Sequence, residues 1–109
     1  MDEILELATK LGKRIAQDPR AVAMADAKEA LDSSSVDREL LADYEHQQHK
    51  LHTLEMGGKP IEPEDKRRLA ELHEKVVSSE TIKLLIKAQA NYVELMTQVT
   101  RRVEEYATA

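Results

Sequence analysis

Apolar residues recur along the chain at steps of three and four positions and never alternate with polar residues over the length of a strand. Such spacing places apolar side chains on one face of an α-helix. Glycine and proline, which interrupt helices, occur only three times each. The pattern therefore predicts an all-α protein, a helical bundle of about five helices that ends in one long helix.

The few breaks divide the chain into five predicted helices. Pro19 and Pro63 suit the first turn of a helix. Ser34 and Asp37 have the spacing of a capping box, and Gly57-Gly58 suits a helix end. The predicted helices cover about residues 2–17, 19–31, 36–56, 63–77 and 80–107. We expect all five to form one domain over residues 1–109.

The last predicted helix carries two apolar rows side by side, a face wider than a coiled-coil seam. One row follows the heptad spacing: Ile82, Ile86, Gln89, Val93, Met96, Thr100 and Val103. The second row repeats every seventh residue: Leu85, Tyr92, Val99 and Tyr106. Either both rows face one monomer core, or one row packs within the chain while the other meets a second chain. We expect the second row to form the interface of a homodimer or higher homo-oligomer.

Two glutamines interrupt the apolar stripes of the two longest predicted helices. They are Gln47 and Gln89. A buried glutamine must be hydrogen-bonded, and such a group can fix the register of packed helices. The alternative is that each glutamine lies at the edge of its stripe and points to water.

Composition narrows the chemistry. The chain has no cysteine, which excludes a disulfide framework, a thiolate metal site and a cysteine nucleophile. The net charge of −5 is unlike the basic face of an electrostatic nucleic-acid binder, and we expect no direct DNA binding. No apolar run approaches the length of a membrane span, and the first residues lack the basic region of a signal peptide. The sequence predicts a cytoplasmic protein without membrane contact.

Three histidines stand three positions apart on the third predicted helix: His46, His49 and His52. Histidine is a common metal ligand, but one helix cannot direct all three side chains to a tetrahedral ion. We interpret them as a solvated helix face and expect no metal site. Phosphate-loop, nucleophile-elbow and zinc-protease motifs are missing from the sequence, so we expect no catalytic residue and no cofactor.

Two ordered segments resemble the YlbF/YmcA family of small helical bacterial regulators. The first segment is Leu51-x-x-Leu54-Glu55-Met56-x-Gly58-Lys59-Pro60-Ile61-x-Pro63-Glu64. The second contains Ile82-Lys83 and then Ala88-Gln89-x-x-Tyr92-x-x-Leu95-Met96. The stretch from Glu6-Leu7-Ala8 through Ala27-Lys28 is similar to the family's first two helices, so the resemblance covers nearly the whole chain.

The resemblance implies a self-associating, non-enzymatic regulatory adaptor. Characterised family members act in competence, biofilm formation and sporulation, and they work with a partner protein, such as a family paralogue, to steer RNase Y in mRNA processing. Some members work in a complex with iron–sulfur clusters, to which a chain without cysteine contributes no thiolate. The alternative function is a helical module that binds RNA or a metal ion. Capture of a protein partner favours the adaptor, and a salt-dependent RNA shift favours the module.

Overall fold

The computed structural model describes residues 2–108, and five α-helices make up most of this part of the chain. The helices are α1 Glu3–Gln17, α2 Pro19–Asp32, α3 Ser35–Met56, α4 Pro63–Ser78 and α5 Glu80–Ala107. The fold is 89% helical, and no strand occurs among the described residues. The predicted all-α class and the long last helix, of 28 residues, are therefore confirmed.

Aspartate and proline fix the first two helix starts along the chain. The Asp2 carboxylate accepts a hydrogen bond from the Ile4 backbone N–H at 3.0 Å and caps α1. The Asp18 carboxylate accepts one from the Arg20 backbone N–H at 2.9 Å, just before α2 begins at Pro19. These acceptors satisfy backbone donors that have no partner inside a helix.

One carboxylate, Asp37, links the beginnings of α3 and α5. Ser34 Oγ donates to Asp37 Oδ2 at 2.8 Å and accepts from the Asp37 backbone N–H at 3.3 Å. Ser79 Oγ donates to Asp37 Oδ1 at 2.8 Å and accepts from the Ile82 backbone N–H at 3.2 Å. Ser34 therefore caps α3 as the capping-box spacing predicts, but the reciprocal bond of the box is missing, since the Ser34 backbone N–H donates to the Leu31 carbonyl at 3.0 Å. Through Ser79, the same aspartate also holds the cap of α5.

The glycines behave differently from one another. Gly58 has a φ of 67°, a left-handed conformation in which the Lys59 N–H donates to the Leu54 carbonyl at 2.9 Å. This geometry ends α3 as predicted, since glycine has no Cβ to clash there. At Gly12 an added Cβ would meet nothing within 4 Å. Among the described residues, no close contact of α1 therefore requires a glycine at position 12.

The chain divides into two compact units, of which the second is Ala30–Leu84. Here α3 and α4 pack together, and the side chains of Leu51, Leu72, Val76 and Ile82 are buried. Polar contacts join the two helices along their length: the Tyr44 hydroxyl lies 3.0 Å from His73 Nδ1, and Lys50 Nζ lies 2.9 Å from Asp65 Oδ1. The α3–α4 hairpin therefore has both apolar and polar partners within its own unit.

The first unit comprises the described parts of Met1–Glu29 and Leu85–Ala109. It contains α1, most of α2 and most of α5. Its buried apolar residues come from α2 and α5 alone: Ala27, Leu85, Ala88 and Leu95. Helix α1 contributes no buried residue, which makes it the exposed element of this unit.

Candidate interaction surface

The apolar stripe of α1 faces solvent although the helix is strongly amphipathic. Its apolar residues keep the three-and-four spacing, while charged residues occupy the opposite side. Ile4 is 77% exposed and Leu7 is 57% exposed. Leu5 and Leu11 are exposed as well. A contiguous apolar surface of this kind marks an interaction site more often than a solvated face.

Helix α5 runs antiparallel to α1 within the first unit. Leu11 lines a groove together with Val99 and Val103, and Ile15, one turn further along α1, lines another with Tyr92. Residue numbers thus rise along α1 while they fall along α5. Ile4 and Leu7, in the first turns of α1, line neither groove and are exposed.

The four residues of the predicted interface row on α5 differ in their exposure to solvent. Leu85 is 4% exposed and belongs to the buried residues of its own chain. Tyr92 and Val99 are half-buried, and Tyr106 is 76% exposed. Exposure increases toward the end of the helix, so Tyr92, Val99 and Tyr106 are accessible to a second chain while Leu85 is covered.

The heptad row on α5 contains the large apolar side chains that sequence reasoning did not assign to an interface. Ile86, Val93 and Val103 are each more than half exposed. Val93 lines an open groove on α5 with Tyr92, Met96, Thr97, Thr100, Arg101 and Glu104. Both rows are mainly apolar in the sequence, and the exposure of their residues depends on the direction from which the other helices approach α5. No sequence signal gives that direction.

The two glutamines lie in different environments. Gln47 is 8% exposed, and its Nε2 donates to the Asp65 backbone carbonyl at 3.0 Å across the α3–α4 contact. The hydrogen-bonded alternative therefore holds for Gln47. Gln89 is exposed, as the edge alternative requires. A part in setting helix register remains a prediction for Gln47, where the hydrogen bond joins two helices.

The histidines of α3 lie on its exposed face. His46, His49 and His52 are all exposed, and the described residues contain no group of three side chains suited to hold a metal ion. The fourth histidine, His73 on α4, packs against the Tyr44 ring with centroids 5.8 Å apart. This contact joins two helices and gives His73 a structural part.

Two aspartates at helix starts have lowered pKa values. Hydrogen bonds from the Arg20 side chain and backbone lower the pKa of Asp18 to about 2. The hydroxyls of Ser34 and Ser79 donate to Asp37 and lower the pKa of that carboxyl. Both shifts have the same physical cause, since hydrogen bonds donated to a carboxylate stabilise its charged form.

Comparison with known proteins gives one finding at the level of the family. The family model described as control of competence regulator ComK, YlbF/YmcA, matches residues 4–106. No curated protein matches the chain. Within the described residues, every helix is too short or too polar to cross a membrane. The family match covers both the exposed stripe of α1 and the whole apolar face of α5.

Proposed function

Because the chain belongs to the YlbF/YmcA family, whose members control the competence regulator ComK, we propose that it is a non-enzymatic regulatory adaptor that self-associates and binds protein partners. A regulatory role follows from the family. Self-association and partner binding are the finer parts of the proposal.

The observation that carries the proposal is the apolar surface on α1 and the end of α5. Ile4, Leu7 and Tyr106 are more than half exposed, and apolar groups of this size stay in water at a cost that association removes. Tyrosine is enriched in protein interfaces because its ring buries area while its hydroxyl reaches the polar rim. A net charge of −5 favours a protein partner over the phosphate backbone of a nucleic acid.

The proposed assembly is a homodimer at micromolar concentration, with Val99 near the middle of the contact. Val99 lies between Tyr92 and Tyr106 and is half-buried. Replacing Val99 by Glu forces a charge into the contact at a cost of several kcal/mol. We expect the Val99→Glu variant to remain helical and to dissociate. Asn91→Glu is the matched control, because it adds the same charge at an exposed position of α5.

The proposed partners are a family paralogue and a complex of the RNase Y type, through which the chain would modulate mRNA processing. The test is affinity capture of the tagged chain from its native host, with nuclease treatment, followed by mass spectrometry. We expect the wild type and Asn91→Glu to retain one of these proteins and Val99→Glu to lose it. Capture that nuclease abolishes, together with direct RNA binding by the purified chain, would overturn the adaptor in favour of an RNA-binding module.

A further inference from the structure

The uncovered part of α1 is long enough to take a helix as its partner. Its stripe runs from Ile4 through Leu7 and Leu11, over about two turns of helix. No residue of α1 is buried, although the complete helix is formed and capped. A helix of 15 residues is marginal in water by itself, so most of its stability must come from packing of its apolar face.

Charges along one edge of the α1 stripe change sign from the beginning of the helix to its end. At about 100° per residue, Glu3, Lys10 and Arg14 lie on the same edge. The first turn is acidic and the last turn is basic. Neither Glu3 nor Arg14 forms an ion pair with another of the described residues. Two such edges attract each other when the helices are antiparallel and repel each other when they are parallel.

We propose that the apolar stripe of α1 is covered by the same stripe of a second copy of this chain, antiparallel around a two-fold axis near Thr9. This surface rests on the self-association proposed above and adds α1 to the row on α5. The axis sets Ile4 opposite the partner's Ile15, and Leu7 opposite the partner's Leu11. Glu3 then lies beside the partner's Arg14, and the same pair recurs on the other side of the axis.

A contact around a two-fold axis would both cover the apolar stripe of α1 and pair the opposite charges along its edge. An isologous interface uses the same patch on both copies, so the patch must complement itself. The α1 stripe does so in shape, since apolar residues meet apolar residues along its length. It does so in charge, since the acidic end of one helix meets the basic end of the other. An unrelated partner would need to supply this complementarity separately.

Cysteine crosslinking tests the geometry directly, because the chain has no cysteine of its own. We would prepare the full chain with Glu3→Cys and Arg14→Cys together and oxidise it under mild conditions. The two positions lie about 16 Å apart along one helix, too far for a disulfide within a chain. The matched control carries Glu6→Cys and Gln17→Cys, which are exposed, have the same spacing and lie on the polar side of α1.

On a denaturing, non-reducing gel, we expect the Glu3→Cys/Arg14→Cys variant to run at twice the chain mass and the control to run at the mass of one chain. Equal crosslinking of both variants, or of neither, overturns the α1 contact. Sedimentation of the uncrosslinked chain shows whether only the α1 contact is absent or whether the chain does not self-associate at all. A dimer without the specific crosslink leaves self-association through α5 and overturns only the α1 contact, whereas a monomer overturns both.

A charge exchange provides a second readout that leaves the apolar stripe intact. Glu3→Arg removes both Glu3–Arg14 ion pairs of the dimer. The dissociation constant of the dimer should rise about two- to fivefold for each pair lost, as expected of exposed ion pairs. Adding Arg14→Glu to the Glu3→Arg variant should restore the wild-type dissociation constant. Equal weakening by the single and double variants would contradict the Glu3–Arg14 contact.

Discussion

Helix α4 of the α3–α4 hairpin and helix α1 have similar sequence patterns, but the structure buries the apolar face of α4 and exposes that of α1. Both present an apolar stripe with charged residues on the other side. In the hairpin the stripe is covered, so that Leu72 and Val76 are each only 3% exposed. In α1 no residue is buried. The pattern that predicts a helix therefore does not say whether its apolar face is covered within the chain.

Polar contacts show the same contrast. Gln47, Lys50 and Tyr44 of α3 all reach polar groups of α4. The charged side chains of α1 near the stripe have no such partner among the described residues. Contacts within the chain stabilise the α3–α4 hairpin. Helix α1 has few such contacts, so a partner that binds its apolar stripe would stabilise it.

Replacing one leucine by alanine in α4 and one in α1 should give the largest difference between the two regions in the free energy of unfolding. Leu72→Ala removes a buried side chain and should lower the free energy of unfolding by about 2–5 kcal/mol at every protein concentration. Leu7→Ala makes the same change at an exposed position and should cost less than about 0.5 kcal/mol in the dilute monomer. Denaturant titrations at low and high protein concentration measure both effects. A concentration-independent loss at Leu7 as large as that at Leu72 would contradict the contrast.

Removing the Gln47 hydrogen bond should have the next largest effect. Gln47→Met keeps the length of the side chain and loses the bond to the Asp65 carbonyl. We expect a loss of about 1 kcal/mol, typical of one intramolecular hydrogen bond. Gln89→Met is the matched control, and it should leave the stability of the dilute monomer unchanged because Gln89 is exposed. Equal losses in chemical denaturation of both variants would argue against a special part for Gln47.

Gly12→Ala should stabilise α1 by about 0.5–1 kcal/mol. Gly12 lies inside the helix with an ordinary helical backbone, and an added Cβ would meet nothing within 4 Å. The melting temperature should rise accordingly. A fall would mean that another chain approaches closely at Gly12, in which case the variant should also dissociate the dimer.

The smallest expected effect is on the pH dependence of stability, through the Asp37 carboxylate. The pKa of Asp37 is lowered in the folded state, so its contribution to stability is complete above the ordinary value of 3.8 and is lost as the pH falls through the lowered value. Asp37→Asn should therefore reduce the difference in melting temperature between pH 6 and strongly acidic solution. An unchanged difference would show that the Asp37 contacts do not persist in solution.

Local signals in the sequence predict the helices well because each boundary depends on a few neighbouring residues. Pro19 and Pro63 begin α2 and α4, and Ser34 with Asp37 begins α3, as their spacing predicts. The bounds differ from the predicted ones by a residue or so, since helix ends are the least determined positions.

The division of the two rows on α5 could not be predicted in this way. Leu85 and Ile86 are adjacent and both apolar, yet one is buried and the other is more than half exposed. Their depths depend on which neighbouring helix reaches that side of α5, a long-range property that periodicity does not contain. The same reason left Gln47 and Gln89 indistinguishable in the sequence.

Self-association is most directly tested by sedimentation velocity of the wild-type chain across the micromolar range. We expect a species of twice the 12.4 kDa chain mass that dissociates on dilution, because burying the exposed stripe of α1 and the end of α5 favours the dimer. A chain that sediments as a 12.4 kDa monomer at every concentration would contradict the dimer.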